Sequence, residues 1–261
     1  MASTTSDPYV KRDDVGDVST LTLNRPASRN ALSSEMLDNL RSHLDKLAAD
    51  RGVRVVVITG EGPAFSAGHD LRELRSDEGA DPREVFALCS TVMQQIASVP
   101  QPVVAKVGGV ATAAGCQLVA TCDLAVAGES ARFATPGVDI GLFCSTPAVA
   151  VSRAVAPKHT MQLLLTGELI PAQDAFRLGL VNQVVPDHEL DAATDRLTSL
   201  IASKPAAVIA AGKAAYRRQL GLSLADAYGV ATDAMVEGLR QPDAAEGIDA
   251  FLAKRPPVWP S

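Results

Sequence analysis

The chain has 261 residues, of which 47% are hydrophobic and 21% charged, so it can form one large or two small folded domains and is too apolar for a disordered protein. The formal net charge is −6 and no basic run is longer than Arg217-Arg218, which argues against a nucleic-acid partner. No apolar stretch approaches the roughly 20 residues that span a bilayer, so no membrane partner is expected. The first ten residues lack the patterns of secretory signals and transit peptides, and we therefore expect a cytoplasmic protein.

Strand and helix patterns alternate in the first part of the chain. Residues 18–23 alternate apolar and small polar side chains, as a half-buried strand does. Ser33 or Ser34 can cap a following helix, and one apolar face of that helix carries leucines at helical spacing: Leu37, Leu40, Leu44 and Leu47. The β-branched run at 53–59 predicts a strand that is covered on both faces. This order predicts right-handed crossovers and a largely parallel sheet.

The same alternation continues and then gives way to helices. The patterns predict a helix over 83–98, a strand over 102–107, a turn at Gly108-Gly109, a helix over 114–121 and a strand over 123–127. From Lys158 onward the predicted elements are helices, over residues 160–165, 172–179, 189–202, 206–220, 225–239 and 244–252. We therefore expect an α/β core over residues 1–200 and a helical region over residues 201–261.

The four cysteines are expected to be structural. Cys89, Cys116, Cys122 and Cys144 form no CxxC pair and lie in apolar surroundings. This arrangement favours reduced, buried thiols over disulfides. No metal site is predicted.

Two turns rich in small residues precede helices and could bind negative charge. The first, AFSAGHDL, covers residues 64–71, and the second, GGVATAAGCQ, covers residues 108–117. Small residues let backbone N–H groups at a helix start point toward an anion. If the two turns converge, they form an oxyanion hole. Such turns are common in α/β proteins, so a purely structural role is the alternative.

Five stretches of the sequence, in this order, together resemble the crotonase superfamily, which is the enoyl-CoA hydratase/isomerase family. They are NRPASRNAL at 24–32, AFSAGHDL at 64–71, AAGCQLVATCDLAVA at 113–127, FATPGVDIGL at 133–142 and LTGELIPAQDAFRLGLVNQVV at 165–185. The resemblance implies an α/β spiral of repeated ββα turns and a helical C-terminal region that helps to form a homotrimer or a dimer of trimers. It also implies an acyl-CoA ligand, with coenzyme A as part of the substrate and no further cofactor required.

The resemblance also implies roles for individual residues. The backbone N–H groups of His69 and Ala114 are the implied oxyanion-hole donors, which would stabilise an enolate of the thioester. The implied coenzyme A contacts come from two segments and comprise Arg25, Ala27, Arg29, Ala67, Gly68, Asp70 and Leu71. Arg25 and Arg29 are candidates for phosphate contacts because guanidinium groups match phosphate geometry. The alternative for either arginine is an ordinary solvated loop charge.

The sequence departs from the family at the two positions that carry the hydratase glutamates. Gln117 stands at the first position and Gly137 at the second. Glutamine can hold a water molecule but has no titratable carboxylate, and glycine leaves the position empty. The resemblance places the base of the family's isomerases at this second position as well, and the acid of its dienoyl isomerases near Ser145. Efficient hydration by the family mechanism is therefore not expected.

Few other groups could replace the missing glutamates. Asp139, on a strand or a turn, would lie on the same face as Gly137 and could act as an acid or base, or it could simply cap the turn. Cys144 and His69 could form a nucleophile and base for thioester hydrolysis, although a plain core cysteine is the alternative. Ser145 lacks the G-x-S-x-G motif of a hydrolase nucleophile.

Three functions remain open on these grounds. The first is an enzyme, a lyase or isomerase of fatty-acid and acyl-CoA metabolism, that binds an acyl-CoA thioester and stabilises its enolate with weak or lost hydratase activity. The second is a non-catalytic or regulatory acyl-CoA-binding protein. The third is a true enoyl-CoA hydratase with a displaced acid and base.

Overall fold

The structure, a computed structural model, describes residues 8–75 and 81–260. Residues 1–7, on which most of the targeting argument rested, lie outside the described residues. In chain order the strands are β1 (Val10–Val15), β2 (Val18–Leu23), β3 (Val55–Gly60), β4 (Ala64–Ser66), β5 (Val103–Val107), β6 (Val110–Thr112), β7 (Leu124–Gly128), β8 (Arg132–Ala134), β9 (Ile170–Pro171) and β10 (Gln183–Val185). The helices are α1 (Ser34–Ala49), α2 (Leu71–Arg75), α3 (Pro82–Ser98), α4 (Ala114–Thr121), α5 (Ser145–Ala154), α6 (Pro157–Thr166), α7 (Ala172–Arg177), α8 (Leu190–Ala202), α9 (Ala206–Gln219), α10 (Leu224–Leu239) and α11 (Pro242–Leu252).

Two sheets form the framework. The larger sheet has the strand order β1-β2-β3-β5-β7-β10, with an antiparallel β1–β2 hairpin and parallel pairs across the rest. The smaller sheet has the order β4-β6-β8-β9, in which only the short β9 is antiparallel. Three times in succession a strand of the large sheet is followed by a strand of the small sheet and then by a helix. This repetition confirms the α/β spiral of ββα turns.

The apolar patterns explain the longest elements. Ser33 caps α1 by accepting a hydrogen bond from the N–H of Met36, and the leucines predicted to share a face of this helix are fully buried. β3, β5 and β7 supply a continuous run of buried valines and alanines because helices or the second sheet cover both of their faces. The predicted strand β2 and helix α4 have the expected bounds.

The elements that sequence patterns missed are short or highly charged. β1 has the sequence VKRDDV and lies at the sheet edge with most side chains exposed, so it shows no apolar alternation. β4, β6 and β8 have three residues each, which is too few for a period to appear. The helical part also begins earlier than predicted, at Ser145 of α5.

The C-terminal helices extend from the core and are held to it by an ion-pair cluster. The predicted boundary at residue 200 falls in the last turn of α8, a helix that packs against the large sheet. In α9, Lys213 and Arg217 both pair with Asp123, at 2.6 and 2.9 Å. α9 and α10 contain no buried residue, and several large apolar side chains of this region are exposed, including Tyr216, Tyr228, Met235, Leu239 and Phe251. No helix of the described residues is long and apolar enough to cross a membrane.

Candidate active site

The first predicted turn follows β4 and is fixed by its own hydrogen bonds. Gly68 adopts a φ of +96°, which a side chain would disfavour. Its N–H donates to the Oγ of Ser66 at 3.3 Å, and its carbonyl accepts from the N–H of Leu32 at 2.7 Å. The turn is therefore held between the end of β4 and the chain that leads into α1.

The second predicted turn connects β6 to α4. Ala113 adopts a φ of +49°, an uncommon conformation for a residue with a side chain, and its N–H donates to the carbonyl of Ala134 at 2.9 Å. The hydroxyl of Thr112 donates to the carbonyl of Ala67 at 3.1 Å and so links the second turn to the first. Ala114 opens α4, where no carbonyl of the same helix can accept its N–H.

The structure brings the two turns into direct contact. A Cβ atom on Gly68 would lie 3.2 Å from the backbone nitrogen of Ala114 and 2.9 Å from the Cβ of Ala113. A Cβ atom on Gly115 would lie only 2.2 Å from the carbonyl oxygen of Ser66. Within the described part of the chain, the N–H groups of His69 and Ala114 have no hydrogen-bond partner. Two free donors thus lie at adjoining turns, and one of them is the first N–H of a helix.

Asn30 positions the segment that carries the two candidate arginines, and sequence analysis did not single it out. It is fully buried with a φ of +53°, and its side chain accepts from the N–H of Arg25 at 2.8 Å. Its amide group donates to the carbonyls of Glu61 and Ala64. An asparagine within a turn-forming stretch was the available signal, because asparagine tolerates the left-handed region better than most residues.

The residues expected to contact coenzyme A differ in whether their side chains already have partners within the protein. The guanidinium of Arg25 lies 3.5 Å from the centre of the Tyr9 ring, so this arginine is held by a cation–π contact. Arg29 is exposed, has a φ of +52°, and accepts the N–H of Ala67 on its carbonyl at 2.9 Å. Ala27 lies exposed in a short 3₁₀ turn.

The other predicted contacts lie around the start of α2. Asp70 accepts from the N–H of Arg72 at 2.9 Å and so caps this short helix, and Leu71 begins it with a half-exposed side chain. A cavity of about 640 Å³ opens beside the two turns. Ala67 and Thr112 line it together with Arg29 and Asp139.

Gln117 is buried on α4, one turn after Ala114. Its side chain is 4% exposed and its Oε1 atom has no hydrogen-bond partner in the structure. A buried amide oxygen without a donor is costly, since nearly all such atoms in folded proteins are paired. The position therefore offers an unused acceptor one helical turn from the free N–H of Ala114.

Gly137 does not leave an empty space, contrary to expectation. A Cβ atom there would lie 2.5 Å from the carbonyl oxygen of Leu142 and 2.8 Å from the Sγ of Cys144. The N–H of Gly137 donates to that Sγ at 3.3 Å, and its carbonyl accepts from the N–H of Leu142. The chain at 142–144 folds over Gly137 and fills the volume in which a larger side chain would lie.

Asp139 does not share a face with Gly137, because this stretch is a 3₁₀ helix over Pro136–Ile140 rather than a strand. With three residues per turn, side chains two positions apart point in different directions. Gly137 is buried whereas Asp139 is exposed, and its carboxylate lies close to Gly167 on the cavity wall. Ser145 is also exposed, at the start of α5.

The side chain of His69 is partly buried next to the first turn. Its Nδ1 lies 3.3 Å from the carbonyl of Leu32, its Nε2 has no partner, and its ring packs edge-on against Phe86. Burial lowers the pKa of His69, although Leu32 and Glu73 oppose this shift. The imidazole is therefore neutral at physiological pH.

The cysteines are buried free thiols, as expected. Burial raises the pKa of Cys89 and of Cys116 to about 12, and it also raises the pKa of Cys122 and Cys144. Thiolates would therefore be scarce at neutral pH, which disfavours Cys144 as a nucleophile. Among the described residues, no group of three or more His, Cys, Asp and Glu side chains could hold a metal ion.

Comparisons with known proteins agree with the motifs and the fold. The sequence model of the enoyl-CoA hydratase/isomerase family matches residues 14–261. Enoyl-CoA hydratase domain-containing protein 3, mitochondrial, from Rattus norvegicus is 51% identical over 240 residues, which are 92% of this chain and 80% of that protein. A putative enoyl-CoA hydratase from Thermus thermophilus is 38% identical over 93% of this chain and 97% of its own length.

Solved structures give the same result. The crystal structure of an enoyl-CoA hydratase from Mycobacterium smegmatis superposes with a TM-score of 0.95 at 48% identity, covering 98% of this chain and all of the other. That of human enoyl coenzyme A hydratase domain-containing protein 3 gives a TM-score of 0.93 at 47% identity, covering 96% of this chain and all of the other.

The expectation of a cytoplasmic location is contradicted by these relatives. The proteins from Rattus norvegicus and Homo sapiens that match over 92% of the chain are both named as mitochondrial. The expectation rested on the lack of a recognisable targeting pattern in the first ten residues, and that observation was a poor guide to location. The shared motifs, the ββα spiral and the extent of these matches together show that this chain belongs to the enoyl-CoA hydratase/isomerase family.

Proposed function

We propose that this protein binds an acyl-CoA thioester and stabilises its enolate between the N–H groups of His69 and Ala114. The observation that supports the proposal is the contact between the two turns: Gly68, the residue before His69, lies against the backbone nitrogen of Ala114, and neither N–H has a partner among the described residues. Both donors belong to the backbone, so the identity of the side chains at these positions matters little for this role. The reaction class is that of a lyase or isomerase in fatty-acid or acyl-CoA metabolism.

The chemical contribution of this pair follows from its fixed geometry. As the thioester becomes an enolate, negative charge develops on its oxygen, and donors already aimed at this position need no reorganisation. Ala114 is also the first residue of α4, so the helix dipole adds to the stabilisation. Loss of one such donor typically lowers the rate by about 10²- to 10³-fold.

The rest of the thioester would lie along the segments that the family resemblance assigns to coenzyme A. We propose Arg29 as the more effective phosphate contact, because it is exposed at the cavity whereas Arg25 is already engaged by Tyr9. Ala27, Ala67, Gly68, Asp70 and Leu71 would form the surrounding surface. Coenzyme A would serve as part of the substrate, with no separate cofactor.

Ordinary hydration is proposed to be weak or absent. Syn addition of water needs an acid and a base. Each such group typically raises the reaction rate by about 10²- to 10⁴-fold. Gln117 can orient a water molecule or a polar acyl group through its unused Oε1, but it cannot exchange a proton as a carboxylate does. Gly137 supplies no acid or base, and the space beside it is occupied by the carbonyl of Leu142 and the thiol of Cys144.

Two other functions compete with this proposal. A non-catalytic acyl-CoA-binding protein is compatible with the same oxyanion turns and with the loss of both carboxylates. A true hydratase that uses Asp139 is less well supported, because this carboxylate is exposed on the cavity wall and turned away from Gly137. Turnover of any acyl-CoA would exclude the first of these alternatives, and rapid hydration of crotonyl-CoA would favour the second.

A homotrimer or a dimer of trimers is proposed as the assembled form. The large apolar side chains exposed on α9, α10 and α11 need a partner surface in water, and a second copy of the chain would provide one. Sedimentation equilibrium of the purified protein would test this proposal. A monomer at micromolar concentration would contradict it.

The function is tested by removing one oxyanion donor without changing the acyl pocket. Proline at the first position of a helix is tolerated and lacks an N–H, so Ala114→Pro removes the donor, whereas Ala114→Ser keeps it. We expect wild-type protein and Ala114→Ser to bind crotonyl-CoA in calorimetry and to show a hydration rate near background. We expect Ala114→Pro to bind crotonyl-CoA more weakly than Ala114→Ser while coenzyme A binding is retained. Its thermal unfolding midpoint should fall, because Ala113 is held at φ +49° and ψ −117°, which a following proline disfavours. Equal binding of crotonyl-CoA by all three proteins would overturn the proposed oxyanion hole.

A further inference from the structure

A second cavity lies at the starts of the central strands of the large sheet, whereas the oxyanion turns follow the ends of these strands. The second cavity has a volume of about 610 Å³. On one side lie the turns at 50–54 and 100–102, which lead into β3 and β5, and on the other lies the junction of α8 with α9. Because the cavity is separated from the acyl-CoA site by the thickness of the core, the proposed function does not use it.

The charge around this second cavity is positive. Arg51, Arg54 and Lys204 line it, and Asp50 is the one carboxylate among the described residues that do so. Both oxygens of Asp50 are already engaged, one by the guanidinium of Arg12 at 2.8 Å and the other by the N–H of Gly52 at 3.0 Å. Arg54 is engaged as well, since its guanidinium donates to the carbonyl of Ala202 at 2.8 Å. Arg51 and Lys204 therefore face no free carboxylate among the described residues that line the cavity.

The start of α9 adds further donors to the same wall. Ala206 and Ala207, the first two residues of this 14-residue helix, line the cavity. The helix has no side-chain cap and no acidic residue in its first turn. Its free N–H groups and its dipole therefore favour an anion at this end.

An independent observation comes from Gln101, whose side chain is 6% exposed and which lines the same cavity. Its Nε2 donates to the carbonyls of Leu47 and Asp50, at 2.7 and 3.1 Å, which fixes the orientation of the amide. Its Oε1 is buried and has no hydrogen-bond partner. A ligand that completes this site must therefore bring a hydrogen-bond donor as well as negative charge.

We propose that the cavity between the start of α9 and Gln101 binds a small phosphomonoester that carries a hydroxyl group. The phosphate, with a charge of about −1.5 to −2, meets Arg51, Lys204 and the first N–H groups of α9. The hydroxyl donates to the Oε1 of Gln101. An ionised carboxylate without a hydroxyl accepts hydrogen bonds only and would leave this oxygen unpaired.

The test uses the full chain with sn-glycerol 3-phosphate as the probe, measured by titration calorimetry. Lys204→Glu reverses one charge at the cavity, and Lys158→Glu makes the same charge change on exposed α6 as a matched control. Ala207→Asp places a carboxylate in the first turn of α9, where it supplies the negative charge from within the chain and favours the helix. Ala207→Asp is therefore expected to fold at least as stably as the wild type.

We expect wild-type protein and Lys158→Glu to bind the probe equally, and Lys204→Glu and Ala207→Asp to bind it about tenfold or more weakly, as the loss of a charge-assisted contact implies. Arg29→Glu, at the proposed acyl-CoA site, should bind the probe as the wild type does. The proposal is overturned if the wild type does not bind the probe, if the two cavity variants bind it unchanged, or if glycerol or propionate binds as tightly. Because the probe and the variants are remote from the oxyanion turns, failure here leaves the acyl-CoA proposal standing.

Discussion

Two parts of the candidate active site, the backbone turns and the side chains at positions 117 and 137, differ in how closely they match the pattern that the family resemblance implies. The turns at Gly68 and Ala113 retain the small residues and left-handed conformations that let two N–H groups adjoin. Positions 117 and 137, where the family resemblance implies glutamates, carry glutamine and glycine, and the chain that follows Gly137 lies over it. In the proposed function, anion stabilisation therefore depends on the backbone of the fold, whereas the reaction depends on a few side chains that can change independently.

The largest effect is expected from breaking the contact between the turns. Gly115→Ala places a Cβ 2.2 Å from the carbonyl of Ser66, so α4 or β4 must shift. We expect a loss of about 1–3 kcal/mol or more in unfolding free energy, as for other overpacked cores, together with loss of crotonyl-CoA binding. Urea unfolding and calorimetry measure the two quantities.

Gly212→Ala is the matched control for this variant. Gly212 also lies within a helix, but a Cβ there has no neighbour within 4 Å. Alanine should therefore stabilise α9 by about 0.5–1 kcal/mol through its higher helix propensity. If both substitutions changed stability alike, the close contact of Gly115 with Ser66 would not be needed for the site.

The second prediction concerns the closed position at residue 137. Gly137→Ala brings a Cβ within 2.5 Å of the carbonyl of Leu142, and we expect a loss of about 1–3 kcal/mol in urea unfolding. The double variant Gln117→Glu, Gly137→Glu introduces the two carboxylates that the family resemblance implies, but not the space for the second one. We therefore expect no gain in crotonyl-CoA hydration, measured by loss of the enoyl absorbance. A marked gain would show that the chain at 142–144 moves aside readily.

The sequence predicts the long elements and the two turns, but it does not predict the short strands. β2, α1 and α4 are long enough for their apolar period to show, and the two small-residue turns carry their conformational preference in their own composition. The three-residue strands β4, β6 and β8 have no period to detect, so the second sheet followed only from the family resemblance.

The closing of position 137 could not be predicted from local patterns. It depends on the contact of Gly137 with Leu142 and Cys144, five and seven residues later, and on a 3₁₀ helix in place of a strand. That helix also turns Asp139 outward, against the expected alignment with Gly137. The cavity beside α9 joins segments a hundred residues apart, so neither its charge nor the unpaired Oε1 of Gln101 could be predicted from the sequence.

The third prediction uses pH to examine the imidazole beside the first turn. Burial lowers the pKa of His69, so below about pH 6.5 the unfolded chain binds a proton that the folded protein resists. The contribution of His69 to stability is therefore complete above about pH 6.5 and is lost as the pH falls below it. We expect His69→Gln to lose less unfolding free energy than the wild type between about pH 8 and about pH 5.

His43 serves as the comparison for this measurement, because burial also lowers its pKa but it lies on α1, away from the turns. His43→Gln should reduce the pH dependence as well, while leaving crotonyl-CoA binding unchanged at either pH. Should His69→Gln show the same slope as the wild type, the imidazole would already be solvated in the folded protein, and the first turn would be more open than the structure describes.

The smallest effect is expected in a thiol-labelling experiment, which tests how tightly the chain at 142–144 packs on Gly137. Cys116 lies on α4 beside Gln117, and the Sγ of Cys144 accepts from the N–H of Gly137. Both thiols are buried with raised pKa values, so we expect native protein to react with neither a disulfide reagent nor iodoacetamide at neutral pH, whereas unfolded protein should label at all four cysteines. Selective labelling of Cys144 in native protein would mean that the chain at 142–144 lifts from Gly137. In that case position 137 would be open for part of the time and Gly137→Ala should reduce the unfolding free energy only slightly. The proposed weak hydration would then depend on Gln117 and Gly137 alone and not on the chain that covers Gly137.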